Sequence, residues 1–270
     1  MWGEHGSRMV AARGLSGKSG QKAGQGGGNN GPSLFAATDP PMFASLRKAL
    51  SLGIPPEATH HPASLQEVDH WAAARGMVLE PEEVPGGYAL SGQQAGVAWR
   101  IECGTPTRSY IQGMELRGGA DTGAPPALAV MVLGRALQES LEGRAGSESA
   151  GPGPVDEEVR WLAATEEVAW EDLPPAFVRH YAVLSTRIES AQRWLHPELV
   201  SLLMNGLPVT SALDEAGADP ADRPFVMMLS HGHVYLRMAH ANQSLQSLAQ
   251  GVDILVAAAR SAVKGFSRSH

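Results

Sequence analysis

The residues with the most chemistry in them are histidines. His231 and His233 flank Gly232, and His240 follows shortly after. Residues at i and i+2 of a strand share a face, so two imidazoles at that spacing could meet one cation. His240 or Asp222 would complete a three-ligand set, and a metal-dependent hydrolase using His231 and His233 is the enzymatic reading of this chain. The competing reading is a polar hairpin turn in which Gly232 supplies a positive φ. His60, His61 and His70 form a looser group with no acidic or thiol ligand in register, and they read as solvated. Cys103, the one cysteine, ends an apolar strand face. It reads as a small buried hydrophobe, because a reactive thiol needs a neighbouring base or a helix N-terminus.

Other chemistries fail on context. Residues 12–19 satisfy a relaxed phosphate-loop pattern, but no strand precedes them and the glycine-rich stretch that follows makes no helix. There is no Gly-x-Ser-x-Gly elbow, no Ser-x-x-Lys set and no His-Glu-x-x-His. The acidic groups Asp156-Glu157-Glu158, Glu166-Glu167 and Glu171-Asp172 read as solvated or dipole-matched surface. In the pairs Trp99-Arg100, Arg160-Trp161 and Arg193-Trp194, neighbours in a strand point to opposite faces, so the tryptophans read as packing residues. No catalytic residue, metal ligand or cofactor-binding residue is assigned from the sequence.

The elements that would position these groups follow from periodicity. A short helix is expected over Met42–Leu52, on the stripe Phe43, Leu46 and Leu50. Packing against the body is its expected role; a graze along a membrane surface is the alternative. Ser64 and Glu67 make a capping box for a helix whose inner face is Leu65, Val68, Trp71 and Ala72, closed by Gly76. Four strands are then expected at Met77–Glu80, Tyr88–Ser91, Val97–Glu102 and Tyr110–Arg117, the third with Val97, Trp99, Ile101 and Cys103 on its dry side. Ala127–Leu133 reads as a buried strand running into a helix over Arg135–Glu142. Beyond a Gly/Pro/Ser stretch, Val159–Ala164 reads as a strand, Asp172–Leu195 as one long helix and Pro197–Met204 as another. A hairpin pairs Pro224–Leu229 with Val234–Met238, and a final helix spans Ser244–Lys264. The fold class is α+β: an antiparallel meander with flanking helices, then a helix-rich half with a β-hairpin and a long C-terminal helix.

The chain of 270 residues divides into a glycine-rich tail expected to be disordered (1–41), a helix-plus-meander region (42–143), a linker (144–155) and a helix-rich region (156–266) that forms either a second domain or one body with the first. Met9 and Met42 are alternative starts. The formal charge of −7 conceals +3 over residues 1–38 and −10 over the remainder. So acidic a body repels phosphate backbones, which argues against nucleic-acid binding. The longest apolar run, Ala127–Leu133, falls far short of the roughly 20 residues of a membrane span, and no secretory leader is evident. With one cysteine, a cytoplasmic setting is expected.

Tyr88-Ala-Leu-Ser-Gly92, Gly96-Val-Ala-Trp-Arg-Ile101 and the hairpin strand Pro224-Phe-Val-Met-Met-Leu229 feeding a terminal helix resemble uncharacterised, proteobacterial-type proteins grouped as a domain of unknown function. The resemblance spans residues 64–264 and implies a fold layout and a bacterial origin, with no activity and no functional residues. Seventeen arginines against four lysines also suit a GC-rich bacterial genome. The reading is a soluble, non-enzymatic protein-binding or assembly module, with another protein as its expected partner.

Overall fold

Alternation on one strand sets the architecture. Along β3 (Val97–Gly104), Val97, Trp99, Ile101 and Cys103 are buried, whereas Ala98 and Arg100 are exposed and Glu102 is half-buried. One face must therefore meet a core and the other is wet. In this computed structural model, which describes residues 62–145, 157–205 and 223–266, β3 lies in an eight-stranded sheet whose neighbouring strands are all antiparallel. The other strands are β1 (Val78–Pro81), β2 (Tyr88–Gln94), β4 (Glu115–Asp121), β5 (Ala129–Gly134), β6 (Tyr181–Ser185), β7 (Phe225–Ser230) and β8 (His233–Ala239). Their spatial order is β1-β2-β3-β4-β8-β7-β5-β6, so strands from both sides of residues 144–155 share one sheet. All described residues fall within one compact unit, residues 47–270.

The dry face is covered by helices α1 (Leu65–Ala73), α4 (Pro175–His180), α5 (Ile188–Trp194), α6 (Pro197–Asn205) and α7 (Leu245–Phe266). The capping box forms as read: Ser64 Oγ accepts from the Glu67 N–H at 3.3 Å, and Glu67 Oε2 accepts from the Ser64 N–H at 2.8 Å. Val68, Trp71 and Ala72 are buried, but Leu65 is 45% exposed and takes no part in that face. Helix α7 lies against β3, β4 and β8 through small residues. A Cβ on Gly118 would stand 2.7 Å from Leu255 Cδ2, and one on Gly251 would stand 3.0 Å from Leu116 Cδ1.

The wet face is covered over only part of its width. Under β5, β6 and β7, Met131, Leu133, Leu184, Val226 and Met228 pack against Leu137 and Leu141 of α2 (Arg135–Ala145), joined by Val159, Trp161 and Leu162 of α3 (Glu157–Ala164). Among the described residues no helix covers the same face of β1–β4 and β8.

Three expectations are corrected. Residues 159–164 belong to a helix; Glu157 and Glu158 in its first turn match the helix dipole, and Val159 and Leu162 at i and i+3 face the sheet. The long helix expected from Asp172 to Leu195 is instead α4, strand β6 and α5. All five residues of β6 are buried, so its Tyr-Ala-Val-Leu-Ser run shows no alternation, and Phe177, Tyr181, Leu184 and Ile188 fall at helical spacing by coincidence. The fourth strand runs over 115–121 rather than 110–117, continuing through Gly118 and Gly119 because α7 requires the first to lack a side chain. The expected helix at 42–52, the tail and most of the linker lie outside the described residues.

Candidate functional site

The wet face carries a line of alternating charge that starts on its uncovered part and runs inward beneath the β3–β4 loop to α3. The ladder register places Glu102 beside Arg117 and Arg117 beside Arg237, so β3, β4 and β8 each contribute one long charged side chain to one row. From the sheet edge inward, Glu80 on β1 meets Arg100 at 2.5 Å, Arg100 meets Glu102 at 3.3 Å, and Glu102 meets Arg117 at 3.4 Å. Arg117 meets Glu115 at 3.4 Å, and Glu115 meets Arg237 at 2.6 Å. Arg237 then approaches Glu158 on α3 at 3.9 Å, and Glu158 meets Arg108 at 3.0 Å. Ala89, paired with both Glu80 and Glu102, is fully buried beneath the outer part of this row.

Exposure falls along the line. The Glu80 and Arg100 side chains are 54% and 43% exposed, whereas Glu115 and Glu158 are 0% and 1% exposed. Exposed pairs contribute at most about 1 kcal/mol, but a buried carboxylate must be fully bonded to be tolerated. Glu115 is bonded in that way. Its Oε2 accepts from the Thr107 N–H at 2.7 Å and from the Thr107 hydroxyl at 3.0 Å, and its Oε1 accepts from Arg237 Nη1 at 2.6 Å. Glu158 accepts from Arg108 Nε through both oxygens, at 3.0 and 3.2 Å. The loop joining β3 to β4 is thereby tied to the sheet by Thr107 and to α3 by Arg108.

Beside the row lies a bare patch. Gly119 pairs with Arg100 on one side and Tyr235 on the other, and a Cβ built on it would meet nothing within 4 Å. The Tyr235 side chain is 41% exposed. Each guanidinium in the row faces a carboxylate and each carboxylate a guanidinium, so the row offers neither a nucleophile nor a proton donor. On this polar surface Arg100, Gly119 and Tyr235 lie side by side on β3, β4 and β8.

The residues singled out in the sequence are not brought together here. His231 lies in the hairpin turn with φ +52, followed by Gly232 with φ +84, which is the two-residue turn with both central residues left-handed. It therefore lies outside the pleat, and the shared-face argument for His231 and His233 does not hold. His233 opens β8 opposite Asp121, with its ring 6.0 Å from that of Tyr235. His240 is buried and turned toward Tyr88 and Ser247. Among the described residues no three of His, Cys, Asp and Glu stand together as a metal site. His70 is exposed on α1, while His60, His61, Asp222, the phosphate-loop-like residues 12–19 and the stripe at 42–52 lie outside the described residues.

Cys103 is buried beside Tyr88, and burial pushes its thiol up to about 11, away from the thiolate that a nucleophile requires. One acidic group read as surface is not: Glu158 is a buried ion-pair partner. Glu167 is exposed and bonded by Arg135 at 2.8 and 2.9 Å, which lowers its carboxyl below the ordinary range. Trp99 and Trp194 are core residues, as read.

No protein-family model matches the chain, and no curated protein matches it. Among solved structures it is similar to the mycobacterial trehalose monomycolate transport factor A, TtfA, at 12% identity and a TM-score of 0.39, over 72% of this chain and 90% of that one. A likeness at that level carries no argument about function. Among the described residues no helix is long and apolar enough to cross a membrane.

Proposed function

We propose that this chain is a non-enzymatic protein-binding module of the bacterial cytoplasm, and that it receives its partner on the uncovered face of β1–β4 and β8. One observation carries the reading: α2 and α3 cover the wet face under β5–β7 and leave the other strands with an exposed tyrosine, a bare glycine and partly exposed arginines. Tyrosine and arginine are enriched where proteins meet, and side chains held on hydrogen-bonded strands need little ordering on association. The lone buried cysteine and the arginine-rich composition support the setting. The metal-dependent hydrolase reading has no observation in its favour once His231 leaves the strand.

The test is a photo-crosslinking amino acid placed in living bacteria at Tyr235, with Gln246 on the exposed side of α7 as the control position. A discrete adduct at Tyr235 and none at Gln246, weakened by Arg100→Ala at unchanged thermal stability, is the expected result. Equal labelling at both positions, or no adduct at Tyr235, would overturn the assignment.

A further inference from the structure

The corner joining β8 to α7 is built around a buried histidine. His240 is 5% exposed, and its backbone N–H donates to the Met114 carbonyl at 2.8 Å. Its ring is engaged at both nitrogens: Nδ1 lies 3.2 Å from Ser247 Oγ and Nε2 lies 3.4 Å from the Tyr88 hydroxyl. Ser247 Oγ accepts from the Ala241 N–H at 3.1 Å and has its one proton to donate, with Nδ1 in reach as acceptor. We take the neutral ring with its proton on Nε2, facing Tyr88, as the form that matches this donor. The groups facing the ring are Tyr88 from β2, with Cys103 behind it from β3, and Ser247 from the first turn of α7. The charges that bear on this group, Glu82 and Arg117, act on Cys103. Among the described residues the ring has no carboxylate partner, and burial pushes it down to about 4.

The next residues are strained. Asn242 and Gln243 both have φ +49, the left-handed region that side-chain-bearing residues adopt at a cost. The Gln243 carbonyl accepts from the Ala63 N–H at 2.9 Å, so this corner also anchors the segment that leads into α1.

We propose that His240 is an acid-sensitive latch: its neutral ring holds the strained corner 241–244 closed, and a proton on the ring opens it, loosening the first turn of α7 and the anchorage of Ala63. An imidazolium donates from both nitrogens, so Nδ1 ceases to accept and the Ser247 hydroxyl proton loses its acceptor. A buried cation without a carboxylate is expelled toward water, and the backbone at 242–243 relaxes as it leaves. This device is independent of what docks on the sheet face.

Amide hydrogen exchange of the full chain at pH 7.5 and pH 5.0, corrected for intrinsic exchange, tests it in wild type and His240→Gln. The expected result is at least a tenfold rise in exchange over residues 241–250 at pH 5.0 relative to β5 and β7, present in wild type and absent in His240→Gln. Asp253, farther along α7, titrates in the same range, and comparing the two proteins at one pH removes its contribution. An unchanged corner in wild type, or an equal rise in both proteins, would overturn the latch. Should His240→Gln not fold, histidine ring NMR of wild type decides: a ring titrating below pH 5 supports the latch, and one titrating near 6.5 refutes it.

Discussion

Arg237 Nη1 stands 2.6 Å from Glu115 Oε1, although 122 residues separate the two in the chain. The pair joins the last strand to the fourth, and the same guanidinium reaches toward Glu158 on α3 at 3.9 Å. One side chain thus links two carboxylates that water does not reach. Replacing Arg237 by Met leaves Glu115 with the Thr107 donors and Arg117 at 3.4 Å, and the loss of stability should be about 3 kcal/mol. Thermal unfolding would show a fall of roughly 10 °C. In the double variant with Glu115→Gln, part of that loss should return, because the uncompensated charge goes with it.

Neighbouring glycines on β4 should respond differently to alanine. At Gly118 the new methyl would lie 2.7 Å from Leu255 Cδ2, and overpacking of this kind costs about 1–3 kcal/mol. At Gly119 it would meet nothing within 4 Å, and the change should stay within about 0.5 kcal/mol. Urea midpoints of the two variants measure the difference, and equal losses would contradict the seating of α7 on β4.

A half-buried carboxyl and a buried imidazole give opposite pH dependences. Burial pushes the Asp253 carboxyl up to about 6 from an ordinary 3.8, so the native state holds a proton that the unfolded state has released. Stability from this group is therefore full below about pH 4 and is lost as pH rises through 6. His240 is the reverse: its ring is pushed down to about 4 from 6.5, so stability is full above pH 6.5 and is lost as pH falls toward 4. The two contributions nearly cancel between pH 4 and 6. Asp253→Asn should raise stability at pH 7.5 by up to about 3 kcal/mol and leave a curve that falls steadily toward pH 4. His240→Gln should leave a curve that rises toward pH 4 over the same range. Urea unfolding at half-unit pH steps checks both signs.

The cap of α1 is exposed and local, so its effect should be small and separable. Ser64→Ala removes the acceptor for the Glu67 N–H and should cost about 1 kcal/mol, with Ser64→Asp close to wild type. Denaturant unfolding measures both, and a Ser64→Ala variant as stable as wild type would show that tertiary contacts alone hold the helix start.

Legibility in the sequence followed the distance over which each pattern is written. The capping box, the alternation of Val97 to Cys103 and the Gly232 turn each need fewer than about ten residues, and each formed as read. Strand β6 was concealed because its neighbours bury both of its faces, which erases the period of two. The charged row on the open face was illegible for another reason: Glu80, Glu102, Glu115, Glu158 and Arg237 lie in five separate segments, and only the sheet register brings them into one line. His240 was read for its imidazole when its significance lies in the burial of that ring, which takes Tyr88, 152 residues away, together with Ser247 on the next helix.

The order β4-β8-β7-β5 has a consequence for biosynthesis. The hairpin that fills the middle of the sheet is made after every other strand. Until residue 239 leaves the ribosome, β4 and β5 each present a bare edge rich in buried-type side chains, with the gap between them unfilled. Strand pairing across so long an interval is slow, and unpaired edges of this kind recruit other chains. Closure of the sheet is thus postponed until residue 239 has emerged, and a polypeptide truncated after residue 222 would have two half-sheets and no described strand to join them.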